Sequence, residues 1–192
     1  DLGSGRVLSR DEPDLVALPP VYGYNRAASA YNHSLEFKKP PLYGVALYKY
    51  AWTLFKQQRY ELATKQFVAL LLYTDEQQKL TGDPGADFRN EAYTYIAGSL
   101  TNVDFAGPGA DEPFIQRPDI IDTEARPEVA EKKLHVAIDR VKDPNLIPQD
   151  KPWTIEIYRA LAGEYRSMNE YSNALEVYEL MLKKWPMDPT AP

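Results

Sequence analysis

Apolar residues recur at three- and four-residue spacing in seven stretches of this chain, separated by prolines, glycines and polar runs. Tyr24, Ala27, Ala28, Tyr31 and Leu35 mark one face of a first helix, which Lys38-Lys39-Pro40-Pro41 breaks. Val45, Leu47, Tyr48, Ala51, Trp52, Leu54 and Phe55 mark a second over Leu42–Lys56. Leu62, Ala63, Phe67, Leu70 and Leu71 mark a third over Tyr60–Tyr73. Only Gln57-Gln58-Arg59 lies between these two, so they should be antiparallel neighbours. A fourth helix is expected over Phe88–Asn102, a fifth over Pro127–Val141, and a final pair over Trp153–Met168 and Tyr171–Trp185. Sustained period-two alternation of β-branched residues is nearly absent, and the pattern predicts an all-α fold.

The intervening segments read differently. Residues 1–22 hold no sustained period and predict an extended lead-in, with a short helical turn near Leu15 and a stop at Pro19-Pro20. Residues 74–87, with Gly, Pro and several acids, read as a loop, as do 143–152. Residues 103–126 form a longer insert, in which Phe105, Phe114, Ile120 and Ile121 predict packing back onto the helices. Its acids (Asp104, Asp111, Glu112, Asp119, Asp122, Glu124) are scattered, whereas a calcium loop needs oxygens at tight alternating spacing, so a solvated loop is expected.

An internal period underlies the helices. With a unit starting at Ile155, Leu161-Ala162, Tyr165, Tyr171, Ala174, Tyr178 and Pro186 fall at positions 7, 8, 11, 17, 20, 24 and 32. With a unit starting at Gly44, Tyr50-Ala51, Leu54, Tyr60, Ala63 and Phe67 take the same positions up to 24, and Asp75 stands at 32. Tyr24, Ala27 and Tyr31 fit a second half alone. Ile96-Ala97 and Leu100 fit a first half, whose second half (Ala130, Leu134, Ala137) is displaced by the insert. Small residues at 8 and 20 let two helices cross closely while larger ones fill the space around them.

This pattern resembles the tetratricopeptide repeat, in an irregular bacterial-type form. The resemblance implies a right-handed superhelical stack of antiparallel helix pairs: a half unit at 23–41, units at 44–77 and 153–188, and a split unit at 88–142 carrying the insert. It further implies that the first helix of each pair lines a concave groove. Carried onto this chain, groove positions include Val45, Tyr48, Lys49, Trp52, Phe55 and Lys56, then Glu91, Thr94, Tyr95, Gly98, Thr101 and Asn102. In the last unit they are Glu156, Arg159, Ala160, Gly163, Arg166 and Ser167. Tyr48, Trp52, Phe55, Tyr95, Arg159 and Arg166 are the expected partner-binding residues, since aromatics and arginine dominate interface energetics. The Lys/Asn clamp with which some members hold a carboxyl terminus is absent, its positions reading Tyr48/Trp52, Thr94/Gly98 and Arg159/Gly163.

Composition narrows the function. The net charge of −6 and the lack of any basic stripe beyond Lys38-Lys39 and Lys132-Lys133 argue against nucleic acid. Without cysteine there is no disulfide, thiolate metal site or cysteine nucleophile. No apolar run is long enough to span a membrane. His33 and His135 stand without a catalytic motif, and no HExxH, GxSxG, P-loop or GxGxxG occurs. The expectation is a non-catalytic scaffold without cofactor or metal, binding another protein or peptide within a multiprotein complex. A cell-envelope component that binds peptidoglycan or another polysaccharide is the second reading, and a helical accessory domain of a larger enzyme the third. The start at Asp1, the lack of cysteine and the fourteen tyrosines tilt the expected location toward the periplasm or cell envelope over the cytoplasm.

Overall fold

The computed structural model describes residues 20–37, 42–102, 105 and 127–187. The described residues form helices without a strand: α1 (Pro20–Ser34), α2 (Leu42–Lys56), α3 (Tyr60–Thr81), α4 (Arg89–Leu100), α5 (Pro127–Lys142), α6 (Thr154–Ser167) and α7 (Tyr171–Lys184). The expected lead-in before Pro20 and nearly all of the insert lie outside the described residues.

Two boundaries differ from expectation. Pro20 begins α1 rather than blocking it, because a first-turn amide has no helical acceptor to lose and proline's φ is already helical. α3 continues two turns past Tyr73, through residues read as loop. Thr74, Gln77 and Gln78 propagate a helix well enough, and the stop comes only at Gly82. That glycine takes φ of 77°, and its N–H bonds the Gln78 carbonyl, the left-handed cap that a side chain would strain.

Each helix packs on its chain neighbour from α1 to α4. α4 then packs on α6, α6 pairs with α7, and α5 touches α4 and α7. The four alanines expected at the crossings, Ala51, Ala63, Ala162 and Ala174, are all buried. Around them lie Leu54, Phe67, Leu70, Leu71, Ile96, Leu100, Ile157, Leu161, Tyr165 and Met181 in one continuous core. The loop over 143–153 is not wholly solvated, since Leu146, Ile147 and Trp153 are buried in the same core.

The turns inside the pairs α2–α3 and α6–α7 have the same geometry at positions 111 residues apart. Gln58 and Asn169 both take positive φ, 59° and 63°. Arg59 N–H bonds the Leu54 carbonyl, and Glu170 N–H bonds that of Tyr165. Arg59 and Glu170 then enter the next helix at φ, ψ of −92°, 64° and −84°, 63°.

Candidate functional site

Four of the six expected partner residues gather where α2 meets α4. On α2, residues three, four and seven apart share a face, so Tyr48, Trp52 and Phe55 point along one side. Tyr95 rises from α4 to meet them. The Trp52 indole N–H donates to the Tyr95 hydroxyl at 3.1 Å, and the Phe55 ring meets the Tyr95 ring edge-on at 5.0 Å. Beneath, Tyr95 lies parallel to the buried Phe67 ring at 5.4 Å. Tyr48 stacks on Phe88 at 4.3 Å, and Tyr24 of α1 meets Trp52 edge-on at 6.2 Å. Tyr24, Phe67 and Phe88 were not expected as members of this cluster. Their spacing shows a helix face, but which face meets α2 depends on crossings that spacing does not give.

All four expected aromatics are half-buried, and each meets at least one other ring. Lys56 holds its ammonium 5.1 Å from the Trp52 ring centre, and Lys49 lies 5.7 Å from that of Tyr48, both stems exposed. Burial, followed by the neighbouring Tyr95 and Glu91, raises the Tyr48 phenol above its ordinary pKa and keeps it a neutral donor. Gly98 leaves room above Phe55, since a Cβ there would sit 3.9 Å from the ring. Glu91 and Thr94 are exposed on the same helix, whereas Thr101, an expected groove position, is buried and bonds back to the carbonyls of Ala97 and Gly98. The result is a fixed aromatic patch rimmed by two lysines.

The two arginines stand elsewhere, on α6. Arg159 pairs with Glu156 one turn earlier, and Arg166 hydrogen-bonds the Tyr178 hydroxyl of α7. Both histidines have carboxylate neighbours: His33 Nδ1 lies 3.2 Å from Glu36, and His135 Nε2 lies 2.9 Å from Glu176, so His135 ties α5 to α7 at the surface. Among the described residues no group of three or more His, Cys, Asp or Glu is placed to hold a metal ion.

Two polar joints position the helices that carry the patch. Asp75 accepts the Trp153 indole N–H at 2.7 Å and lies 3.5 Å from Arg89, which also bonds Asp87 and Gln78. One carboxylate thereby links α3, the start of α4 and the entry to α6. Beside it, burial above all pushes the Tyr93 phenol up to about 12. At the other joint, Arg140 of α5 donates to the carbonyls of Leu100 (2.5 Å) and Asn102 (2.8 Å), closing the C-terminus of α4. Its guanidinium lies 4.3 Å over the Phe105 ring, and the Phe105 carbonyl accepts the Glu61 N–H at the start of α3. Phe105 therefore packs on the helices as expected; Phe114, Ile120 and Ile121 lie outside the described residues. A cleft of about 390 Å³ opens here, lined by Phe105, Arg140, Glu61, Lys65, Asp139 and Asp143 among others. Its ions are largely engaged: Lys65 with Glu61, Asp139 with Lys142, and Asp143 with Asn145.

No helix among the described residues is long and apolar enough to cross a membrane. Comparison with models of known families, with curated proteins and with solved structures returns no match.

Proposed function

We propose that this chain is a non-catalytic interaction scaffold of tetratricopeptide type, a right-handed stack of helix pairs that binds a partner protein on the face built by α2 and α4. The observation that carries this reading is the Trp52–Tyr95 pair. An indole and a phenol, hydrogen-bonded to each other and backed by Phe55 and Phe67, stand half-exposed with their rotamers set before any partner arrives. Rigid amphipathic rings of this kind lose little entropy on binding and supply most of the affinity where they occur at interfaces. Lys49 and Lys56 add a positive rim on a chain of net charge −6, which favours a partner segment that combines apolar and acidic residues. The matching turns of α2–α3 and α6–α7 support the repeat reading.

The test begins with a photo-crosslinking residue placed at Lys49 or Lys56 in the source cell, followed by titration of the captured protein in purified form. Trp52→Ala and Tyr95→Ala should each weaken that complex at least about tenfold, the loss expected of a hot-spot residue, with the helical circular dichroism unchanged. Undiminished binding by both variants would overturn the assignment of this face. Selective retention of the chain on peptidoglycan, lost in Trp52→Ala, would replace the protein partner with a polysaccharide.

A further inference from the structure

α1 rests on α2 and on no other described helix to a comparable extent. Its inward face is Tyr24, Ala27, Ala28 and Tyr31, continued by Leu35 just past its end. The residues 36 later in the chain, Tyr60, Ala63, Thr64, Phe67 and Leu71, form the same face of α3. There the last four are fully buried, because α3 is clasped between α2 and α4. On α1 all five are only half-buried, and no described side chain from Gly23 to Phe37 is buried.

What fixes α1 is correspondingly slight. Tyr24 meets Trp52 edge-on, and Asn25 accepts one hydrogen bond from the Gln57 amide at 2.7 Å. Two of the five inward positions are alanine, which brings little apolar area to the contact. Gln57 is 1% exposed, yet its Oε1 is buried without a donor among the described residues. Such an acceptor costs free energy while α1 is seated, and water pairs it once the helix lifts away. Off α2, moreover, α1 has little to keep it helical. Fifteen residues make a short isolated helix, and Gly23, Asn25, Asn32 and His33 are poor formers.

We infer that α1 is a displaceable cover of the Trp52 face: it leaves α2 as a unit while α2, α3 and α4 stay folded. Seated, Tyr24 holds an edge of the indole that a partner ring would otherwise meet; lifted, α1 releases that edge and opens Gln57 to water. Its use as a regulator rests on the reading of α2 and α4 as the partner's face. The lifting itself needs no partner.

Hydrogen exchange of the full chain, followed by mass spectrometry, reads the lifting. Peptides within residues 20–34 should exchange about a hundredfold or more faster than the centres of α2 and α3, and a common rate overturns the proposal. The uncovering of Trp52 is read by fluorine NMR of the chain labelled with 5-fluorotryptophan. Of its three resonances, that of Trp52 is the one lost in Trp52→Phe. Ala27→Asp sets a carboxylate into the α1–α2 contact. It should speed the exchange of α1 and enlarge the shift of the Trp52 signal between H2O and D2O, with α3 as protected as before. Asn25→Cys and Gln57→Cys, joined by a short thiol-to-thiol linker in a chain otherwise without cysteine, should reverse both effects. A Trp52 signal indifferent to both changes, or protection lost from α3 together with α1, overturns the cover. The linked chain should also bind the protein captured at Lys49 or Lys56 about tenfold or more weakly, and equal affinity overturns the competition. A chain that lifts α1 and captures no protein overturns the scaffold reading instead.

Discussion

The helix pairs α2–α3 and α6–α7 turn in the same way and are used differently. Both reverse through a residue at positive φ, both close with the same backbone bonds, and both bury one alanine on each helix. In the first pair the face of the second helix is sealed by α4. In the second pair the corresponding face lies open: Tyr178 and Glu179 stand where the first has Phe67 and Val68, and Leu175 where it has Thr64, while tyrosine at 60 and 171 and leucine at 71 and 182 are shared. A shared turn therefore fixes how two helices pack on each other, while what they present outward is set separately, residue by residue. Phe67 and Tyr178 put that difference to its hardest test. Phe67→Ala empties a fully buried site beneath Tyr95 and should cost about 3–5 kcal/mol in urea denaturation. Tyr178→Ala, at the corresponding but half-exposed position, should cost roughly 1 kcal/mol. Equal losses would mean that the α7 face is sealed in solution.

Residues 75 and 186, again 111 apart, separate the pairs further. Pro186 ends the second pair, whereas Asp75 in the first accepts Trp153 and faces Arg89. Asp75→Ala leaves the buried indole N–H without its acceptor and should cost about 1–3 kcal/mol. Its signature should be a change in the fluorescence of Trp153, resolved by repeating the measurement in a Trp52→Phe, Trp185→Phe background. A variant with native stability would show that this carboxylate does not hold α6 to α3.

Alkaline pH should load the second pair more heavily. Burial pushes Tyr158 up to about 12 and raises Tyr165 further, and both belong to α6; Tyr93, at about 12, is their counterpart on α4. An unfolded tyrosine gives up its proton near 10, while these keep theirs until the folded pKa is reached. The folded state thus binds more protons between those values, so stability is fully present below pH 10 and is lost as pH climbs through about 12. Denaturation at pH 9 and pH 11 should show a drop that is smaller in Tyr158→Phe. That variant also loses the hydroxyl's bond to Gln149, so its stability at pH 9 is the baseline for the comparison.

The all-helical class and nearly every helix were legible in the sequence, because apolar spacing reports which side of a helix is buried wherever the helix ends up. The range of α2 matched to the residue. The tail of α3 did not show, since a run of acids and glutamines is equally at home in a polar helix and in a loop, and only Gly82 decides where the helix stops. Tyr48, Trp52, Phe55 and Tyr95 were named from their positions, and the structure brings them together. Their partners Tyr24, Phe67 and Phe88 were not, because a period along one helix is silent about which neighbour meets it. Arg159 and Arg166 were expected on the groove side of the last unit, where Arg159 pairs with Glu156 of its own helix and Arg166 hydrogen-bonds Tyr178 across the helix pair. Asp75 had a visible sign, an acid where the resemblance expects proline, yet nothing in the sequence near it points to an indole 78 residues away.

The smallest effect offers the finest comparison, since it concerns the feature that the two pairs share. Gln58 and Asn169 both adopt left-handed backbone, which glycine enters freely and a side chain enters at a cost of about 1 kcal/mol. Asparagine tolerates that conformation better than glutamine, and Asn169 also accepts the Tyr171 hydroxyl at 3.1 Å. Gln58, by contrast, has a longer side chain and no such turn-forming role. Gln58→Gly should therefore stabilise the chain by roughly 0.5 kcal/mol, strain relief at the turn outweighing the added freedom of the unfolded state. Asn169→Gly should be neutral or slightly destabilising, because it loses the Tyr171 contact and relieves less strain. Paired thermal melts of the two variants give the sign directly. A gain at position 169 that matched the one at 58 would show that the side chains contribute nothing to either turn, and that the two pairs differ only in what covers them.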